Sequence, residues 1–307
     1  MKVDATFFNQ FPKVSNQKIS LPELEEHQVS VYLKREDLIH PFISGNKFRK
    51  LKYNLLKAKQ QDTNQVLTFG GAFSNHFVAT AVAAKKMNLK SIGIIRGDEL
   101  GDHFKETIAN NTSLRKAYEC DMHLEFVSRE EYRMKSTFEY INSLKQKFGA
   151  FYLIPEGGTN QLAVKGCEEI LTQEDDEFDI ICSPIGTGGT IAGLINQSKA
   201  HQRIIGFPAL KGNFLSQEIE KYVTKRNWNI VESYHFGGYA KYTSDFINFL
   251  NKFTRDSQIQ LDPIYTGKMM YGILDLVKRS YFPRGTKLLA IHTGGLQGIE
   301  GFNQRLE

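Results

Sequence analysis

Four short apolar runs in this 307-residue chain each end in a glycine-rich turn that feeds a further element, and this repeat constrains the fold more than any other feature. Residues 66–69 run into Gly70 and Gly71, and residues 151–154 into Pro155, Glu156, Gly157 and Gly158. Residues 179–182 lead through Ser183, Pro184 and Ile185 to a loop of three glycines, and residues 287–292 end in Thr293, Gly294 and Gly295. Such runs read as strands buried on both faces. Between them the sequence predicts strands at 29–33, 91–95, 124–127, 204–207 and 230–234. It predicts helices from residue 46, over 110–118 and 130–147, from near 159, from 191, over 214–226, and around 246–250 and 270–277. Turn signals stand at Pro12 and Pro22. Alternation of this kind defines an α/β fold with open, twisted, mostly parallel sheets. Ligands of such sheets gather at the carboxyl ends of the strands, where these turns lie.

The stretch Ser44, Gly45, Asn46, Lys47, Phe48, Arg49, Lys50 puts three cations at the start of a helix whose core face is Leu51, Leu55 and Ala58. Ser44 or Asn46 is the expected N-cap, with Gly45 easing the turn. The macrodipole is positive at a helix N-terminus, so cations there need a bound anion to offset them. The same field makes Lys47 shed its proton more readily, as a lysine that forms a Schiff base or transfers a proton must. A solvated basic helix start is the plainer reading of the same residues.

The net charge of +5 permits an anionic ligand, but the 39 Lys and Arg are interleaved with 34 Asp and Glu, so no basic face for nucleic acid is indicated. No apolar run approaches the ~18 residues of a membrane span, and residues 1–11 are too polar for a secretion signal, so a cytoplasmic protein is expected. Cys120, Cys167 and Cys182 have neither pairing nor metal-ligand spacing and read as reduced thiols; no metal site is expected.

Two turns have the physics of anion sites. Gly70 to His76 joins a strand to a helix whose free amides face whatever docks there, with Ser74 and Asn75 as caps; capping alone would also explain them. Gly186, Thr187, Gly188, Gly189 and Thr190 offer close backbone approach, two hydroxyls and a helix start. The loop lacks the third glycine of a dinucleotide fingerprint and the lysine of a Walker loop. A tight structural turn is its plain alternative. One activated lysine, a phosphate cradle and no metal cluster together suit a phosphate-bearing cofactor held by lysine, and pyridoxal 5'-phosphate is the economical candidate.

The order of these motifs resembles the pyridoxal-phosphate enzymes comprising 1-aminocyclopropane-1-carboxylate deaminase and D-cysteine desulfhydrase, of the tryptophan synthase β-like fold (fold type II). The likeness spans residues 34–295: the lysine motif 44–51, the turn 71–76, the loop 186–190, the tyrosine motif 262–268 and the turn 292–295. It implies that Lys47 holds the cofactor and shuttles the proton, that Asn75 bonds the cofactor's ring oxygen, and that Lys50 with the amides of residues 186–190 holds its phosphate. It implies that Ser74, Asn75 and His76 meet the substrate, Ser74 also as an acid or nucleophile, that Tyr265 packs near the ring and that Tyr239 lies across the substrate. Each tyrosine has the plain alternative of a core aromatic with its hydroxyl satisfied. A homodimer with a large domain from 1–50 and 156–307, and a smaller one inserted at 51–155, is the implied architecture.

Thr266 and Thr293 stand where the ring-opening deaminases of this family resemble one another in carrying glutamate and leucine, so the pair is similar to the desulfhydrase branch. The expected reaction is α,β-elimination on a small amino acid, D-cysteine, giving pyruvate, ammonia and hydrogen sulfide, with Thr266 near the substrate and Thr293 near the cofactor ring. Ring-opening deamination of 1-aminocyclopropane-1-carboxylate to 2-oxobutanoate and ammonia is the alternative. A non-catalytic phosphate- or nucleotide-binding α/β protein is the second.

Overall fold

The structure, a computed structural model, describes residues 6–303 except 11, 12, 62 and 213. The turn expected at Pro12 lies outside them, as does part of the polar N-terminus. Among the described residues ten strands form two sheets: β1 (Asn16–Ile19), β2 (Ser30–Lys34), β3 (Gln65–Gly70), β4 (Lys90–Arg96), β5 (His123–Val127), β6 (Tyr152–Ile154), β7 (Ile180–Ile185), β8 (Arg203–Pro208), β9 (Trp228–Ile230) and β10 (Lys287–Ile291).

The larger sheet has the order β1-β2-β10-β7-β8-β9 and draws on both ends of the chain; the smaller, β5-β4-β3-β6, is contiguous in sequence. Every pairing is parallel except β1 with β2. Parallel strands must be covered on both faces, and β7 is buried along its whole length. Met269, Met270, Ile273 and Val277 of helix Thr266–Lys278 cover one face of the larger sheet. Ile191, Leu194 and Ile195 of helix Gly189–Gln197, with Val164 of helix Gln161–Glu168, cover the other. Pro184 sits inside β7 without harm because β10 pairs β7 only as far as Cys182, so no donor is needed on that side.

Helix Asn46–Gln60 joins the two layers. Its Phe48, Leu51, Leu55 and Ala58 pack with Val66, Val78 and Ile154 of the smaller layer. Its backbone meets helix Gln161–Glu168 so closely that a Cβ on Gly166 would lie 2.0 Å from the Arg49 carbonyl oxygen. The division expected between residues 50 and 51 falls inside this helix.

Several expectations need correction. The long helix predicted over 130–147 is two, Arg129–Arg133 and Phe138–Phe148, because the Thr137 side chain accepts the Tyr140 amide and starts a new helix. The strand predicted over 230–234 ends at Ile230 and continues as a 3₁₀ turn, Glu232–Tyr234. The helix predicted over 214–226 spans only Leu215–Glu220. The edge strand β1 went unpredicted, since Asn16, Gln17 and Lys18 carry no apolar alternation.

Candidate active site

The carboxyl ends of β3, β4, β6, β7 and β10 face a cavity of about 500 Å³ between the sheets. Lys47 enters it from the first turn of helix Asn46–Gln60. Neither expected residue caps this helix through its side chain; Gly45 is the N-cap. Its φ of +60° and a contact that would put a Cβ 2.0 Å from the Thr293 carbonyl oxygen admit only glycine. Ser44 instead accepts the Gly295 amide at 3.3 Å, and the Asn46 amide group donates to Thr190 Oγ1 at 2.8 Å. Both side chains therefore tie the lysine turn to the two glycine turns that end β10 and β7.

Lys47 Nζ donates to Asn46 Oδ1 at 3.0 Å. Burial, reinforced by the charge of Lys50, lowers its pKa from 10.5 to about 7, so much of it is a free amine near neutrality. Lys50, one turn on and 3% exposed, donates to the Gly157 carbonyl (3.1 Å), Thr159 Oγ1 (2.9 Å) and Thr187 Oγ1 (3.4 Å). Burial lowers its pKa too. Neither lysine forms an ion pair among the described residues.

The loop after β7 brings Gly186, Thr187, Gly188 and Thr190 to the cavity wall, while Gly189 is the first residue of helix Gly189–Gln197. Gly188 has φ +84°, which turns the backbone so that this helix starts at the cavity. A Cβ on Gly157, across from it, would fall 2.9 Å from Thr187. A side chain at Gly157, or at Gly186, where a Cβ would fall 3.1 Å from Tyr265, would crowd the cradle, whereas one at Gly188 would meet Ile219 instead.

Ser74, Asn75 and His76 open helix Asn75–Lys86 on the opposite wall. No cap bond forms through the Ser74 side chain, and Asn75 is inside the helix rather than its cap; Asn75 Nδ2 donates to the Gly295 carbonyl at 3.3 Å while its buried Oδ1 has no partner. His76 is 2% exposed, with Nε2 at 2.9 Å from Thr68 Oγ1 and Nδ1 unpartnered. Burial, then Lys47 and Lys50, hold its pKa well below the usual value, so it is neutral.

Tyr265 and Tyr239 meet edge to face at 6.3 Å between centroids at the mouth. Burial pushes the Tyr265 phenol well above its ordinary pKa, so it stays protonated. Thr293 lines the cavity. Thr266 does not: it is fully buried, and its hydroxyl donates to Asp262 Oδ2 at 2.5 Å. The sequence reading missed the reason, which is that Asp262 accepts the amides of Ile264, Tyr265 and Thr266 and so anchors the tyrosine turn. It also missed Arg96 and Glu156 on the cavity wall, charges at strand ends that no local pattern marks.

The chemistry of these donors fits pyridoxal phosphate. A lysine titrating near neutrality, a buried ammonium ringed by hydroxyls, a backbone cradle that Cβ atoms would fill, and an orphaned amide oxygen are complementary to an aldehyde, a phosphate and ring substituents. Fold and site together define a pyridoxal-phosphate enzyme of fold type II.

Comparison with known proteins agrees. The sequence model of the family described as pyridoxal-phosphate dependent enzyme matches residues 15–294, and the chain belongs to that family. A Pyrococcus horikoshii protein bearing the provisional name 1-aminocyclopropane-1-carboxylate deaminase is 32% identical, over 93% of this chain and 91% of its own. The bifunctional D-cysteine desulfhydrase/1-aminocyclopropane-1-carboxylate deaminase of Arabidopsis thaliana mitochondria is also 32% identical, over 88% and 73%. The crystal structure of an ACC deaminase homologue superposes with a TM-score of 0.79 at 29% identity, covering 100% of this chain and 99% of the other. The chain is thus an enzyme of the 1-aminocyclopropane-1-carboxylate deaminase/D-cysteine desulfhydrase group, which sets aside the non-catalytic reading. Among the described residues no helix is long and apolar enough to cross a membrane.

Proposed function

We propose that the chain catalyses α,β-elimination on a small amino acid, D-cysteine, yielding pyruvate, ammonia and hydrogen sulfide. The observation that carries this reading is Thr293, a neutral hydroxyl on the cavity wall at the end of β10. With neutral Thr266 and Thr293 standing where the resembling deaminases carry glutamate and leucine, no carboxylate would face the cofactor ring from these positions, so the ring would stay uncharged and the electron sink modest. Expelling hydrosulfide, a weakly basic leaving group, asks less of that sink than breaking a carbon–carbon bond of a cyclopropane ring.

Pyridoxal phosphate, when bound, supplies an electron sink beside the substrate's α-carbon. Lys47 would hold it, and its amine, once released, would take the substrate's α-proton. Loss of that proton and of hydrosulfide, with the C–S electron pair leaving on sulfur, would give 2-aminoacrylate, which water converts to pyruvate and ammonia. Lys50, with the amides of residues 186–190, holds the phosphate. Asn75 bonds the ring oxygen, and Ser74 with the amides of its turn holds the substrate carboxylate. Tyr265 packs at the ring and Tyr239 covers the substrate. Neutral His76, held by Thr68, lines the cavity beside Asn75 on the substrate side, and Thr266 acts only through Asp262. The layers 1–50 with 156–307 and 51–155 are proposed as two domains whose approach shuts water from the cavity.

Ring-opening deamination is the second reading, favoured by the names of the relatives. Sulfide and 2-oxobutanoate, measured with D-cysteine and 1-aminocyclopropane-1-carboxylate in turn, separate the two. Sulfide release with kcat/KM at least about tenfold above that for the cyclic amino acid is the expected result. Production of 2-oxobutanoate without sulfide would overturn the proposal.

A further inference from the structure

Lys268 has no role in the reaction as described, yet it is among the largest fully buried side chains, 1% exposed. It lies in the first turn of helix Thr266–Lys278, three residues beyond Tyr265. Its Nζ leaves the helix to donate to two backbone carbonyls of another segment, His235 at 2.9 Å and Gly238 at 2.7 Å. Those same carbonyls accept the Gly238 and Lys241 amides at 2.9 and 3.2 Å. Two successive turns therefore close around a single ammonium group.

Among the described residues no five-residue stretch outside the segment so held has four positive-φ positions. Phe236 (φ +54°), Gly237 (+94°), Gly238 (+124°) and Ala240 (+54°) all have positive φ, and two of the four carry a Cβ. Conformations of that kind persist only where the surroundings impose them. One imposed contact is the Phe236 ring, 4.6 Å from Phe246 and 5.1 Å from Tyr271 between centroids. Another is Lys268. In the middle of the segment stands Tyr239, 47% exposed, whose ring projects to the cavity and meets Tyr265.

We propose that Lys268 is a positioning residue: its ammonium clamps the 235–241 segment and so fixes Tyr239 over the substrate side of the cavity against Tyr265. Because the clamp springs from the helix that Tyr265 introduces, one buried lysine sets the spacing of both tyrosines. The ammonium makes charge-assisted bonds to the two carbonyls, which are stronger than a neutral donor could make. Burial lowers the Lys268 pKa to about 8, countered in part by Asp262, so the charge is present at neutral pH. The part assigned to Tyr239 rests on the reaction proposed above; the clamp itself does not.

The test compares Lys268→Met, which keeps length and apolar bulk, with Lys268→Arg, which keeps the charge, both as the cofactor-loaded protein. Amide exchange of a peptide covering 235–242 is expected to accelerate at least about tenfold in Lys268→Met, with helix 266–278 still protected and the visible band of the lysine-bound cofactor retained. KM for D-cysteine should rise about tenfold or more with kcat within about threefold, and Lys268→Arg should recover part of both effects. Should Lys268→Met not fold, Lys268→Gln carries the same measurements. Unchanged exchange in 235–242 would overturn the clamp. Accelerated exchange with KM unchanged would overturn its role in placing Tyr239. If no amino acid is turned over by the unsubstituted enzyme, the reaction assigned above fails while the exchange result still decides the clamp.

Discussion

Apart from the Lys268 clamp, two regions of the described residues bury lysines in opposite ways. At the end of β2, Lys34 donates to both carboxylate oxygens of Asp175 at 2.9 and 2.8 Å, with side chains 3% and 1% exposed. Asp175 also accepts from Asn16 and from the Thr172 amide, so every charge there has its counter-charge and its hydrogen bonds. At the start of helix Asn46–Gln60, Lys47 and Lys50 face only amide, hydroxyl and carbonyl oxygens. A buried cation without a counter-charge is unfavourable, and two of them one turn apart at the positive end of a helix are more so. The first region is complete in the protein alone. The second is complete only with an anion, and a phosphate-bearing cofactor supplies it.

Substitution should break the two regions differently. Lys47→Ala is expected to lower the rate by about 10³-fold or more and to abolish the visible absorption of the loaded protein, read in one cuvette before and after substrate. A variant that keeps both band and rate would remove Lys47 from the chemistry. Lys34→Met leaves Asp175 as an uncompensated buried carboxylate, so urea unfolding should show a loss of about 3–5 kcal/mol while KM of the folded fraction stays at the native value. If instead KM rises with stability unchanged, Lys34 belongs to the site and the contrast between the regions is false.

The lysine region was readable because its signals are local. A cation-rich helix start, and glycines at strand ends, are visible within windows of ten residues, and their anion logic needs no tertiary contact. What was misread lies in long-range bonds. Ser44 and Asn46 look like caps, yet their side chains bond Gly295 and Thr190, 251 and 144 residues away. Thr266 looks like a residue for the substrate because it follows Tyr265, but Asp262 turns its hydroxyl inward. Arg96 and Glu156 reach the cavity only because β4 and β6 flank β3, an order that periodicity cannot reveal. The two sheets were legible as a class for the converse reason: parallel strands buried on both faces announce themselves as apolar runs, while the polar edge strand β1 does not.

The smallest expected effect is the sharpest test of the contrast, because the same replacement should act with opposite sign in the two regions. In the cofactor-free protein Lys47 has a pKa near 7, lowered first by burial and then by Lys50. Below pH 7 it is charged in both the folded and the unfolded chain, and the folded state bears the full desolvation penalty. Between pH 7 and about 10.4 the unfolded chain still holds a proton that the folded chain has released, so stability rises with pH across that window. Lys47→Met removes the penalty at every pH. It should therefore stabilise the cofactor-free protein at pH 6, and the advantage should shrink as pH rises toward 10. We expect about 1–2 kcal/mol at pH 6, less than the whole shift converts to, because Lys47 is partly exposed to water in the cavity. Urea midpoints of the two proteins, measured from pH 6 to 10 in a buffer free of phosphate, read the difference directly. A destabilisation by Lys47→Met that does not vary with pH would mean that Lys47, like Lys34, is already compensated within the protein, and the argument for a bound anion at that helix start would fall with it.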